Sequence, residues 1–248
     1  MRVTTHRFTL KSDKSFELHP PFLYNSIKSE FINAGEEMDK IVLDAIWWKR
    51  AREHSFSVTT QKIDYEIDEF VEKAVDKWTQ EIGVEGDITE YGFKEINPYE
   101  EEVPEDIDLV LLETRSPMMF GFRKEDGERR YARPNDMEDF DKITLQLIRR
   151  YKELYGKMKD ETFEKVMDFS SEPENVMYYF EYVDDFPLRK DKSLHAKKAM
   201  VGKTLFRNNS WIREILRLFK LGENMHLGQK TGYGLGGVDI TFLKQGEH

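Results

Sequence analysis

The chain has 248 residues, 39% of them hydrophobic, 35% charged and 13% aromatic, with a net charge of −10. That excludes a wholly disordered chain and supports one large domain or two small ones. No apolar run approaches the ~18 residues of a membrane-spanning helix, and the absence of cysteine excludes disulfides, thiolate metal sites and cysteine nucleophiles.

The elements can be read in chain order. Val3–Leu10 alternates and is rich in β-branched residues, which predicts a strand that Phe16–Leu18 extends. Pro20-Pro21 opens a helix, and Phe22, Leu23, Ser26, Ile27, Glu30 and Phe31 follow at three-and-four spacing up to Asn33-Ala34-Gly35. The same spacing of Met38, Ile41, Val42, Ala45, Ile46 and Lys49 predicts a second helix over 36–52. Strands are expected at Ser55–Thr60, Lys62–Ile67 and Ile88–Ile96, with an amphipathic helix over Asp68–Ile82. Asn97–Asp106, with two prolines and an acidic run, reads as a linker.

Beyond it, strands are expected at Ile107–Thr114 and Met119–Arg123, then a hairpin loop at Lys124–Glu128. Helices follow over Met137–Tyr155 and Asp160–Phe169, and strands over Val176–Val183 and Ala199–Phe206. Asn208-Asn209-Ser210 caps a helix over Trp211–Leu221, and Val238–Phe242 makes a last strand. Each half mixes strands and helices in a βα…β order. The expected class is α+β, two tandem ferredoxin-like (RRM-like) domains over 1–98 and 107–248, joined by 99–106.

Charge is unevenly distributed. Glu66–Glu113 holds 17 acidic and 3 basic residues, whereas Phe186–Lys220 holds 10 basic and 2 acidic. A single run of this kind is ordinarily a solvated surface; asymmetry on this scale points to a polarised molecule with one face able to accept a polyanion.

Six of the 15 glycines fall between Gly222 and Gly237. Clustered glycines allow positive φ and close backbone approach, and their amides can form an anion nest. A phosphate-binding P-loop does not fit. Five residues separate Gly222 from Gly228, a glutamine precedes Lys230, and the segment runs from helix to strand rather than strand to helix. The plain alternative is a structural loop.

Three stretches in order resemble the CRISPR-associated repeat-processing endoribonucleases of the RAMP superfamily. They are Leu112–Phe120, followed by Tyr131-Ala132-Arg133-Pro134 and the helix Ile143–Tyr155, then Met200–Leu205, then Leu221–Gly236. A weaker likeness is His54-Ser55-Phe56, similar to that family's opening of the second strand. The resemblance implies metal-independent cutting of CRISPR precursor RNA within repeats, with 2′,3′-cyclic phosphate and 5′-hydroxyl ends. A non-cleaving RNA-binding subunit of a CRISPR effector complex, from the same superfamily, is the alternative.

Such chemistry needs proton transfer, which suits histidine, and charge stabilisation, which suits lysine and arginine. No cofactor or metal is expected, since the six histidines lack ligand spacing. His54, beside Lys49, Arg50 and Arg52 at the end of the expected second helix, is the candidate acid or base, with Lys49 or Arg52 stabilising the phosphate. Its alternative is a helix cap. Tyr24 is a candidate to orient the 2′-OH, against a core role. His19 reads as a turn residue, with catalysis as its alternative, His195 as a phosphate contact, and His226 as an RNA contact or a turn filler.

Lys190, Lys192, Lys197, Lys198, Lys203, Arg207 and Lys230, with Gly228, Gly232, Gly234 and Gly236, are the expected RNA-binding residues. Trp211, Ile215, Leu218 and Phe219 are expected in the core. The implied partners are CRISPR repeat RNA, effector-complex subunits and a second copy of the chain, without a membrane. The opening MRVTTHRFTL has no apolar signal core, so no signal peptide is expected, and the absence of cysteine leaves a cytoplasmic location as the expectation.

Overall fold

A computed structural model describes residues 3–33, 42–45, 50–60, 67–123, 129–183, 186–187, 195–196, 198–229, 231 and 235–244. The chain divides into two compact units, one of Met1–Ile96, Pro187–Leu194 and Thr231–Gly234 and one of Asn97–Phe186, His195–Lys230 and Leu235–His248.

The first unit runs β1 (Val3–Glu17), α1 (Pro20–Asn33), β2 (Val42–Ala45), β3 (Arg50–Thr60), α2 (Ile67–Ile82) and β4 (Gly86–Ile96). Its sheet has the order β2-β3-β1-β4, every neighbour antiparallel. That is the ferredoxin-like arrangement. Alternation in β1 and β3 puts Phe8, Leu10, Phe56 and Val58 on the helix side, where Leu23, Ile27 and Phe31 of α1 and Val71, Val75 and Trp78 of α2 meet them. Burying each such side chain contributes about 1.5–3 kcal/mol against leaving it exposed.

The helix expected over 36–52 is not what the described residues form. Val42–Ala45 and Arg50–Ala51 lie in strands, with Leu43 opposite Val58 and Ala45 opposite Phe56. A run apolar from Ile41 to Trp48 except at Asp44 satisfies helical and strand periods alike, and the sheet partner decides between them. Ser55–Thr60 is the second half of one longer strand. Ile67, expected to end a strand, opens α2; the rest of 62–67 lies outside the described residues.

The second unit comprises β5 (Ile107–Thr114), β6 (Gly121–Arg123), β7 (Arg129–Tyr131), a 3-10 turn (Pro134–Glu138), α3 (Phe140–Tyr155), α4 (Asp160–Phe169) and β8 (Glu174–Val183). Two-residue strands β9 (Phe186–Pro187) and β10 (His195–Ala196) precede β11 (Ala199–Arg207), α5 (Arg213–Met225) and β12 (Val238–Lys244). The order β12-β5-β11-β8 repeats the antiparallel ferredoxin-like topology. Ile215, Leu218 and Phe219 of α5 are buried and Trp211 is half-buried, stacking obliquely on Phe140 and Phe169.

The linker is docked within this unit. The Tyr151 hydroxyl donates to that of Tyr99 at 2.9 Å, Lys159 sits 4.9 Å over the Tyr99 ring, and Arg217 donates to the Glu101 carbonyl. Burial pushes the hydroxyls of Tyr151 and Tyr155 upward in pKa. The β6–β7 hairpin is pinned by Asp136, which accepts two hydrogen bonds from Arg130 (2.6 and 2.8 Å) and one from Lys142. The Arg130 guanidinium beside it holds the Asp136 carboxyl well below the usual carboxylate range.

Candidate functional site

The glycine-rich segment begins where α5 ends. His226 leaves the helix at φ +55, its Nδ1 3.1 Å from the Leu235 carbonyl, and is 1% exposed, so it fills the turn. Leu227 donates to Gly236 (2.7 Å), Gln229 to Met119 (2.7 Å) and Gly236 to Pro117 (2.8 Å), while Gly237 accepts from Arg115 and Ser116. The segment is thereby strapped to the Arg115–Phe120 turn after β5. Two glycines make this approach possible. A Cβ on Gly228 (φ +89) would lie 2.2 Å from the Met119 carbonyl oxygen, and one on Gly236 (φ +79) 1.9 Å from that of Leu227.

Of the cations expected to bind RNA, Lys198 is exposed, with its ammonium 6.0 Å over the Tyr131 ring. Lys203 is exposed on β11, opposite Tyr179 and Glu113. Arg207, also exposed on β11, lies 3.7 Å from Asp108. Lys49, Lys190, Lys192, Lys197, Lys230, Gly232 and Gly234 lie outside the described residues. So does the side chain of His195, whose backbone is in β10.

The first unit carries a cleft of about 800 Å³ where β1 ends, β3 begins and α2 runs out. Lys14, His19, Phe22, Arg50, Arg52 and Glu81 are among its lining. Lys14, Arg50 and Arg52 are exposed, while His19 is 7% exposed and accepts the Phe22 and Leu23 amides on its carbonyl at the start of α1.

His54 is placed differently from the sequence reading. It lies mid-strand, not at a helix end, so it shares no helical turn with Arg50 and Arg52. It is 4% exposed, its ring 4.5 Å from that of Phe16, which itself lines the cleft. Its Nε2 lies 3.1 Å from the Phe16 carbonyl and 3.2 Å from that of Ala51. Carbonyls only accept, so Nε2 carries the proton and is committed to the backbone. Tyr24 is half-buried and packs on the apolar core of the unit. Of the cleft groups, Lys14 has no role in the sequence reading and His19 is read there as a turn residue; a histidine directly before Pro-Pro marks a helix start. Arg50 and Arg52, two apart, share one face of a strand but not of a helix.

Among the described residues no group of three or more His, Asp or Glu side chains is placed to hold a metal ion. No helix of the described residues is long and apolar enough to cross a membrane.

Two ferredoxin-like units, the second with a glycine-rich strap between its last helix and last strand, define a tandem ferredoxin-like α+β class of protein. A family model for CRISPR-associated endoribonuclease Cas6 matches residues 112–238, more than half of the chain, and the chain belongs to that family. Comparison with curated proteins finds no match.

Among solved structures, Thermus thermophilus Cas6 (TTHB231) superposes with a TM-score of 0.62 at 12% identity, over 97% of this chain and 98% of that one. A Cas6 (TTHB231) product complex gives 0.63 at 15% identity, covering 97% and 100%. A partial Cas6-RT-Cas1–Cas2 complex gives 0.64 at 11% identity, covering 98% of this chain but 46% of that one. At these identities the likeness is one of fold.

Proposed function

We propose that the chain cuts CRISPR precursor RNA within its repeats, without a metal, by attack of the substrate's own 2′-hydroxyl. The 2′-oxygen gives up its proton and bonds to the adjacent phosphorus, the bond from phosphorus to the 5′-oxygen breaks, and that oxygen takes a proton. The products end in 2′,3′-cyclic phosphate and 5′-hydroxyl. The observation that carries this reading is the family match, which spans the whole glycine-rich strap and the turn it grips.

In this reading the first unit supplies the chemistry and the second holds RNA. His19, whose two ring nitrogens are buried in the cleft wall until RNA binding exposes them, moves the proton, and Lys14, Arg50 and Arg52 offset the charge gathering on the phosphoryl oxygens. His54 stands one ring behind, fixing Phe16 in the wall. Lys198, Lys203 and Arg207 supply phosphate contacts, which give affinity and salt dependence but no sequence choice.

One observation favours a second reading, an RNA-binding subunit that does not cut: the histidine marked by the sequence is buried and bonded to backbone. Cleavage of repeat RNA by the parent, His19→Ala and His54→Ala proteins separates these. The proposal expects His19→Ala to lose about 100-fold or more in rate while still binding RNA. A parent that binds but leaves the RNA whole supports the second reading. A His19→Ala protein as fast as the parent removes His19 from the chemistry.

A further inference from the structure

Arg150 of α3 is a buried cation with an unusual assignment. Its side chain is 7% exposed, and burial lowers its pKa. Nε and Nη2 both donate to the Met225 carbonyl, at 3.2 and 3.0 Å, and Nη1 donates to Glu153. Met225 is the last residue of α5. Helix ends leave carbonyls without intrahelical partners, and a glycine in the left-handed conformation commonly closes them. Here the residue after the helix is a histidine at φ +55, whose amide returns to Gly222, and the Met225 oxygen is taken by a side chain 75 positions away in sequence. A guanidinium is expensive to bury and is poorly replaced by an apolar group once a carbonyl depends on it.

From that carbonyl the chain enters the strap directly. Leu227 pairs with Gly236, Gln229 with Met119, and Gly236 with Pro117, each at 2.8 Å or less. The direction in which the glycine-rich segment leaves α5 is therefore set at Met225, and the only side chain seen to grip that carbonyl among the described contacts is Arg150.

We infer that Arg150 is a positioning residue for RNA binding: it touches no RNA, but fixes the take-off of the glycine-rich segment so that its uncharged amides are presented in register. This rests on the RNA-binding reading of that segment.

The test uses the full chain and a labelled CRISPR repeat RNA. Arg150→Lys keeps the charge with one donor group, Arg150→Met keeps the apolar stem, and Glu153→Gln loosens the grip without touching the buried guanidinium. The expected result is RNA affinity weaker by about tenfold in the Arg150 variants and a few-fold in Glu153→Gln. The slope of log K against log salt should stay unchanged, because no phosphate contact is lost. In the same proteins without RNA, the Gln229 and Gly236 amides should exchange with solvent faster than in the parent, while amides of β5 and β11 do not.

Affinity and amide exchange like the parent's in folded Arg150→Lys would overturn the inference. So would a salt slope reduced by about one, the mark of a direct phosphate contact. Should both Arg150 variants fail to fold, Glu153→Gln decides by the same readings. Amide exchange reports on the segment even if the parent binds no RNA, so a failure of the RNA reading is distinguishable from a failure of the anchor.

Discussion

Gly228→Ala puts a single methyl group into the strap. At φ +89 any residue with a Cβ carries a conformational penalty of about 1 kcal/mol. The new Cβ would also sit 2.2 Å from the Met119 carbonyl oxygen and 2.7 Å from the Phe120 ring, against rigid backbone in the first case. Relief requires the segment to back away by about 1 Å, which breaks the 2.7 Å bond from Gln229 to Met119, worth about 1 kcal/mol, and loosens the packing around it. With about 1 kcal/mol for the lost packing, the sum is about 3 kcal/mol.

Gly83→Ala is the matched control: φ is +67 where α2 closes, but nothing lies within 4 Å of its Cβ, so only the conformational penalty of about 1 kcal/mol applies. By thermal unfolding, at about 2–4 °C per kcal/mol for a chain of this size, Gly228→Ala should melt about 6–12 °C below the parent and Gly83→Ala about 2–4 °C below. Gly228→Ala should also bind repeat RNA more weakly at temperatures where it is folded. Equal melting shifts for the two variants would refute the claim that close backbone approach, rather than φ alone, demands glycine at 228.

Two further predictions concern charge. The Asp136 carboxyl is held low in pKa by Arg130 and Lys142, so its contribution to stability is present above the ordinary carboxylate pKa of about 4 and is lost as pH falls below it. Asp136→Asn should therefore cost about 2–4 kcal/mol in urea unfolding at pH 7, with the gap to the parent closing in strong acid; a gap constant with pH would contradict the assignment. Lys203→Ala should lower RNA affinity alike for all repeat sequences and reduce the salt slope by about 0.7–1, as measured by titration at several salt concentrations; an unchanged slope removes Lys203 from the interface.

Much of the second unit is legible in its sequence because each element there carries a single signal. Ile107–Thr114 and Ala199–Phe206 are bounded, β-rich runs, and Asp160–Phe169 has one apolar face. The glycine cluster marks the strap, though not what the glycines do: Gly228 and Gly236 are required by the chain's own carbonyls, a constraint set by Met119 and Leu227 and invisible in local spacing. The first unit misleads at 36–52, where an apolar run satisfies two periods and the pairing of Leu43 with Val58 selects the strand. That one misreading also set the surroundings expected for His54. On a helix, His54 would stand exposed among cations; on β3 it turns inward behind Phe16, and the cleft is instead bordered by His19, 35 positions earlier in sequence and placed there by the start of α1.

The central claim is metal-free cutting through the substrate's 2′-hydroxyl. Its most direct test is the EDTA-treated protein with a labelled repeat RNA, beside copies carrying 2′-deoxy at each successive position, with the product ends analysed. The account predicts cutting in EDTA, abolished by one 2′-deoxy substitution alone, and 2′,3′-cyclic phosphate on the upstream fragment. Cutting that needs added divalent metal, or that persists through every 2′-deoxy substitution, would contradict it.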